Sequence, residues 1–338
     1  MAFLNALDTF RSLELERIYP AAIVVSLLFV IIYVMLALSG FVFIHETGET
    51  VGAISGWCER VSGGIFREPS NTLSNIGFML AGLLMLKVLS EDYKTDNFKN
   101  NTFSSLNSVS VLYALAVIYL GPGSWLMHAT HTEWGGWADN LSMIMYIVFP
   151  WLYNIKEMRR WDSNRFLQVY FLIVVVYAIA RWFFGGRLGI GLDLFGLSIG
   201  LWIISETLYR FWSPRFRWAS GLVGFIVAAV FGITPVEIFT DLREYWWVIL
   251  FWVPAIFSNQ PPRIKRNYFP WFYLGMASFL LAFVIWLQGQ PNDPSWFTDL
   301  MCYPDSLLQP HAFWHLITAF STWSFFIFFR TEKLKENN

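Results

Sequence analysis

Charge is what this chain has least of. Only 14% of its 338 residues are Asp, Glu, Lys or Arg, where a soluble domain carries about 25%. The shortfall excludes an ordinary water-soluble fold, because too few charged groups remain to cover its surface. The charges that exist nearly cancel, at a formal net of -1, so no bulk field draws the chain towards nucleic acid. Cysteine is almost missing too. Cys58 and Cys302 are the two in the chain, too few for a thiolate metal site, and their pairing depends on the redox state of the compartment they face. No cleavable signal peptide is expected: the first 19 residues hold Asp8, Arg11, Glu14, Glu16 and Arg17, and the first apolar run is too long for a signal core. No internal repeat or low-complexity tract stands out.

Apolar residues fill the space that charge leaves. They make up 56% of the chain, with 33 Phe and 18 Trp, mostly core and interfacial-belt residues. Runs near 20 residues recur from end to end, which is the length a helix needs to cross a bilayer. The fold class is therefore an all-α polytopic membrane protein. Ten segments are predicted, roughly 20–44, 69–89, 106–130, 138–156, 165–184, 188–210, 218–236, 243–258, 268–288 and 309–330. Segment 243–258 is short, and is tilted, re-entrant or extended at its start.

Ten spans sort the loops into two faces. One holds both termini and 18 of the 23 Lys and Arg. The other keeps Arg60, Arg67, Arg181, Arg187 and Arg243. The positive-inside rule then puts both termini in the cytoplasm. The same division places Glu68, His128, Asp139, His311 and His315 together at the non-cytoplasmic face, with His45, His131 and both cysteines. Lys and Arg alone set that topology, so the agreement is independent evidence for one site on one side.

His311 and His315 are four apart in His311-Ala312-Phe313-Trp314-His315, so a helix sets both rings on one face. Such a pair can chelate one metal ion; two interfacial histidines bonded to water or headgroups would give the same spacing. With His128, three imidazoles leave a fourth position open, the arrangement of catalytic rather than structural zinc. His131 competes with His128 as the third ligand; His45 belongs to a loop or the interface. Ser124 precedes His128 by four, after Gly121-Pro122-Gly123, which should kink the segment. Its hydroxyl could equally bond back to a helical carbonyl. Asp139 opens the fourth segment, either as an N-cap or as a carboxylate beside a metal water. Asp193 takes no assigned role, and Glu206 is interfacial.

Three blocks together resemble a known family. They are Trp57-Cys58-Glu59 followed by Glu68-Pro69-Ser70-Asn71-Thr72-Leu73-Ser74-Asn75, then Ser124-x-x-x-His128 with Asp139, then His311-x-x-x-His315. In this order they resemble the alkaline ceramidase family, within the CREST superfamily of membrane hydrolases that also includes adiponectin-receptor-like and lipid-anchor-remodelling proteins. The resemblance is specific over 57–142 and roughly 300–330. It implies a seven-helix core, with about three extra transmembrane helices here. It implies one transmembrane domain over 1–338, with residues 1–50 an N-terminal extension carrying an extra helix and 51–338 a ceramidase-like core with additional middle helices. It implies zinc on His128, His311 and His315, with Ser124 and Asp139 catalytic. It implies a calcium site whose pattern Trp57, Glu59 and Glu68 match, although Gly56 stands where an aspartate is expected and the loop is shorter. It implies a disulfide between Cys58 and Cys302.

The activity implied is zinc-dependent hydrolysis of the amide bond of a ceramide-type lipid, giving a long-chain base and a fatty acid. The partner is then a membrane lipid, with no nucleic acid and no obligatory protein. A receptor-like member or an esterase-type lipid remodeller of the same superfamily would keep the same zinc site. A transporter would need polar residues along a continuous path, whereas here they gather at one face.

Overall fold

In a computed structural model the protein is described over residues 2–43, 50–95, 101–230, 235–291 and 300–334. His45 lies outside the described residues. Thirteen α-helices account for most of the described chain: α1 (Ala2–Leu38), α2 (Pro69–Ser74), α3 (Ile76–Lys94), α4 (Ser108–Thr130), α5 (Glu133–Arg159), α6 (Ser163–Phe184), α7 (Leu194–Arg210), α8 (Pro214–Ala219), α9 (Val223–Val230), α10 (Pro235–Thr240), α11 (Val253–Phe257), α12 (Trp271–Gln288) and α13 (Pro310–Phe329). Among the described residues, strand is limited to Ile264–Lys265 and Lys333–Leu334. The chain forms two compact units. The first comprises Met1–Ser142 and Arg266–Lys333, the second Met143–Lys265 and Leu334–Asn338.

Six of the described helices are long and apolar enough to cross a membrane: Glu16–Leu38, Pro69–Lys94, Ser108–Thr130, Ser163–Phe184, Trp271–Gln288 and Pro310–Phe329. They make this a multi-pass membrane protein. Their outward surfaces agree, because residues such as Val25 and Met35 on α1 are about two-thirds exposed. Water would penalise that apolar band; lipid does not.

The remaining expected segments take other forms. Segment 188–210 becomes a helix only from Leu194, because Gly185, Leu188, Gly189 and Gly191 all have positive φ and turn the chain left-handed. Asp193 then caps α7, its carboxylate accepting from the N–H groups of Phe195 at 3.0 Å and Gly196 at 3.1 Å. Segment 218–236 divides into short helical pieces. Segment 243–258 is a 3-10 turn over Trp246–Trp252 that runs into α11. Segment 138–156 lies inside α5, which starts earlier, at Glu133. The first segment also starts earlier: α1 continues through Pro20 back to Ala2, although proline leaves the carbonyl of Glu16 without its usual helical partner.

In the first unit α4 runs beside α3 and α5. Asn107 starts α4 with a capping box. Its side chain accepts from Val109 and Ser110, and the Ser110 hydroxyl accepts from the Asn107 N–H. The helix continues through Gly121-Pro122-Gly123, and close approach explains the second glycine. A Cβ on Gly123 would lie 2.4 Å from the Ser142 Cβ and 2.8 Å from the Ala138 carbonyl oxygen. Gly82 plays the same part between α3 and α4: a Cβ there would stand 2.5 Å from Ile118 and 2.7 Å from the Ala114 oxygen.

Gly82→Ala should therefore force α3 and α4 apart. The cost of such overpacking is about 1–3 kcal/mol, read as a melting temperature lower by several degrees in detergent. Gly186→Ala, where nothing lies within 4 Å of the added methyl, should leave the melting temperature unchanged.

Candidate metal centre

His128 occupies the last turn of α4. The helix stops at His131, which takes a left-handed φ of 51° and donates its N–H to the Met127 carbonyl at 2.9 Å. α13 opens with Pro310 at its first position, where proline costs no hydrogen bond. His311 and His315 then fall one turn apart on one face. The three histidines offer one nitrogen each, all within 4.8 Å of one another, and all three rings are buried. Nε2 of His311 lies 3.1 Å from Nε2 of His128, near the roughly 3.3 Å expected between two ligand nitrogens at about 2.05 Å from a tetrahedral ion.

The outer ring nitrogens fix the tautomers. Nδ1 of His128 contacts the Glu68 carboxylate, which accepts only, so that nitrogen carries the proton and Nε2 holds a lone pair. Nδ1 of His315 lies 2.8 Å from the Ser74 hydroxyl, whose own proton goes to the Asn71 carbonyl at 2.8 Å. Ser74 therefore accepts from His315, and Nε2 of His315 also holds a lone pair. Two lone pairs converge on one buried point, an arrangement that a bound cation satisfies. Nδ1 of His311 has no hydrogen-bond partner among the described residues. The donor set and its backing fit a divalent ion such as zinc.

Glu68 is held by the backbone as well. Its N–H donates to the His128 carbonyl at 2.9 Å, and the N–H of Arg67 to the Ala129 carbonyl at 3.0 Å. The other carboxylate oxygen lies 3.5 Å from Nε2 of His131. Burial pushes the Glu68 carboxyl up, but the His128 and then the His131 imidazole beside it hold it below the ordinary range.

Ser124 is buried one turn before His128, and its hydroxyl lies 3.3 Å from Nε2 of His315. It faces the histidines and not the carbonyl four residues back. Asp139 does not cap a helix, because α5 begins six residues earlier at Glu133. It is half-buried on the second turn, beside the Ala138–Gly123 approach of α5 to α4. Asp139 and Ser124 are thus the chain neighbours of Ala138 and Gly123, where the two helices are in tight contact. Trp57 lies over the site, its ring centroid 4.9 Å from that of His128 and 5.8 Å from that of His311. Its loop is tied to the segment before α13. Cys58 and Cys302 form a disulfide, the Arg60 guanidinium donates to both Asp305 oxygens at 2.6 and 2.9 Å, and the Arg60 N–H donates to the Pro304 carbonyl at 3.0 Å.

The residues matching the calcium pattern do not suit calcium. Both Glu59 oxygens accept backbone N–H groups at the start of α2, from Ser70 at 2.7 Å and Asn71 at 2.9 Å. Burial nevertheless raises the Glu59 carboxyl above the ordinary range. Glu68 is committed to His128 and His131, and position 56 is glycine. Calcium wants six to eight oxygens, and both carboxylates here have other work.

Sequence reasoning gave Ser74 no role, although Ser74 lies in a block it singled out. Its partner stands 241 positions away, beyond any local pattern. Outer partners of ligating histidines are worth roughly 10- to 100-fold in metal affinity. Glu68→Gln should therefore weaken metal binding by about that factor, measured by competition with a chromophoric chelator, and Ser74→Ala should weaken it by about the lower end of that range.

A family model described as Ceramidase matches residues 49–338. No curated protein matches the chain. The matched stretch includes every residue of the histidine cluster and its backing, and on that match the chain belongs to the Ceramidase family.

Proposed function

We propose that this chain is a zinc-dependent amidohydrolase that cleaves the amide bond of ceramide-type sphingolipids within the membrane, releasing a long-chain base and a fatty acid. The observation that carries the reading is the convergence of buried His128, His311 and His315, two of them with their lone pairs turned inward, in a member of the Ceramidase family.

Zinc on the three imidazoles would supply Lewis acidity, lowering the pKa of a water at the open fourth position towards ~7. Asp139 accepts the proton of the attacking water as its oxygen bonds to the amide carbon. It returns that proton to the nitrogen as the C–N bond breaks, so that the products are an amine and an acid. Ser124 donates its hydroxyl proton to the oxygen that gains negative charge. Glu68 and Ser74 keep the His128 and His315 rings from turning. Trp57 shields the site on the loop side, and the low dielectric this produces strengthens each of these contacts.

The site joins the last turn of α4 to the first turn of α13, consistent with one end of the spans. With the Lys and Arg division, this favours a site near the non-cytoplasmic face and both termini in the cytoplasm. On this reading residues 1–50 extend a core of 51–338 that holds seven family helices and additional middle ones, ten spans in all. The substrate reaches the site from the bilayer.

His128→Ala, His311→Ala or His315→Ala should each abolish fatty-acid release from ceramide while the protein still fractionates with membranes. Ser124→Ala should lower kcat about 10²- to 10³-fold and Asp139→Asn about 10²- to 10⁴-fold, both with zinc still bound. Purified protein should carry about one zinc per chain and lose activity to a zinc chelator. Zinc without release from ceramide would move the assignment to an ester lipid or a receptor-like role. Full activity in all three histidine variants would end the metal reading.

A further inference from the structure

The family match begins at residue 49, so α1 lies outside it. Yet α1 reaches the metal-bearing turn. Tyr33 is 3% exposed, and its hydroxyl lies 2.6 Å from the Ile65 carbonyl and 3.2 Å from that of Ala129. These two carbonyls belong to the two segments that form the metal site's outer wall. Ile65 is three residues before Glu68, and Ala129 directly follows His128. A phenol has one proton to give. The shorter bond takes most of it, and the second carbonyl shares it.

The surrounding bonds show what the hydroxyl closes. The Arg67 N–H also donates to the Ala129 carbonyl, and the Glu68 N–H donates to the His128 carbonyl. Beside these two backbone bonds and the Glu68 carboxylate contacts, Tyr33 adds a link between the 65–68 segment and the end of α4 from a helix that neither segment belongs to. Its ring stacks on Phe66 at 5.7 Å and meets Trp125 edge-on at 5.7 Å. Phe29, one turn earlier, also meets Trp125, at 6.0 Å. The outward face of the same helix is apolar and exposed, Ile32 at 50% and Met35 at 66%. Packing alone would be served as well by phenylalanine. A buried hydroxyl at 33 instead donates to the Ile65 carbonyl and adds a second, longer contact to the Ala129 carbonyl, which already accepts from Arg67.

We propose that Tyr33 is a positioning residue for the metal centre. It clamps the Glu68 segment to the His128 turn, so that α1 is a working part of the site and not merely a membrane anchor. The proposal rests on the metal reading of the three histidines. It acts through Glu68: the clamp sets the carboxylate against Nδ1 of His128 and so sets the direction of Nε2.

The test uses full-length protein in detergent, with cobalt as probe ion, and compares wild type, Tyr33→Phe, Glu68→Gln, the double variant and the lipid-facing control Ile32→Ala. Tyr33→Phe should weaken cobalt binding about 3- to 10-fold, less than a direct partner of the ligand would. It should shift the visible d–d absorption of bound cobalt and lower kcat on ceramide several-fold with KM nearly unchanged. In the Glu68→Gln background the same change should have no further effect on cobalt affinity. Ile32→Ala should match wild type throughout. A Tyr33→Phe protein with wild-type affinity and spectrum would overturn the proposal, as would full additivity with Glu68→Gln. Wild-type protein that binds no cobalt would overturn the metal reading itself, and the proposal with it.

Discussion

Everything at this site depends on one carboxylate taken out of water. Glu68 is fully buried at the edge of a membrane-spanning helix, where an unpaired charge is among the most costly groups a protein can hold. It is tolerated because His128 and His131 stand against it and because the backbone on either side is stitched to the end of α4. The same constraint turns His128. Once its outer nitrogen is committed to the carboxylate, its inner one has no choice of direction. The chemistry of the site begins with that loss of freedom, not with the histidines alone.

The frame around it is built from close contacts and few charges. Glycine at 123 lets α5 meet α4 beside Ser124 and Asp139, and glycine at 82 lets α3 do the same further along. Ser74 reaches His315 from the short helix that Glu59 caps. The loop that carries Trp57 is bound to the segment before α13 by a disulfide and a two-pronged ion pair. The polar groups that carry the frame, Glu59, Ser74 and Arg60, each have a defined partner, as a low-dielectric interior favours.

Much of this was legible in the sequence. Apolar runs marked the six long spans, and the spacing of His311 and His315 marked a shared helix face. Segment 243–258, set apart by its shortness as tilted, re-entrant or extended at its start, is a 3-10 turn followed by one short helix. Other features were not legible. The fourth segment was expected from 138, where the apolar run starts; α5 instead begins at Glu133, and Gly135 packs against the Leu126 carbonyl, 2.6 Å from where its Cβ would sit. That shift removed the capping role from Asp139. Glu68 matched a calcium pattern, and only three-dimensional proximity showed that it serves a histidine. Ser74 and Tyr33 carry no local signal at all, since their partners are 241 and up to 96 positions away.

The distribution of ligands along the chain has a consequence for biosynthesis. His128 enters the membrane early, whereas His311 and His315 arrive only with α13, and the cysteine at 302 that locks the covering loop arrives just before them. A nascent chain that has inserted everything up to α12 holds a single imidazole of the three and an open loop. Such a chain lacks two of the three histidines of the cluster. The histidine cluster is assembled only when the last long helix joins the first ones.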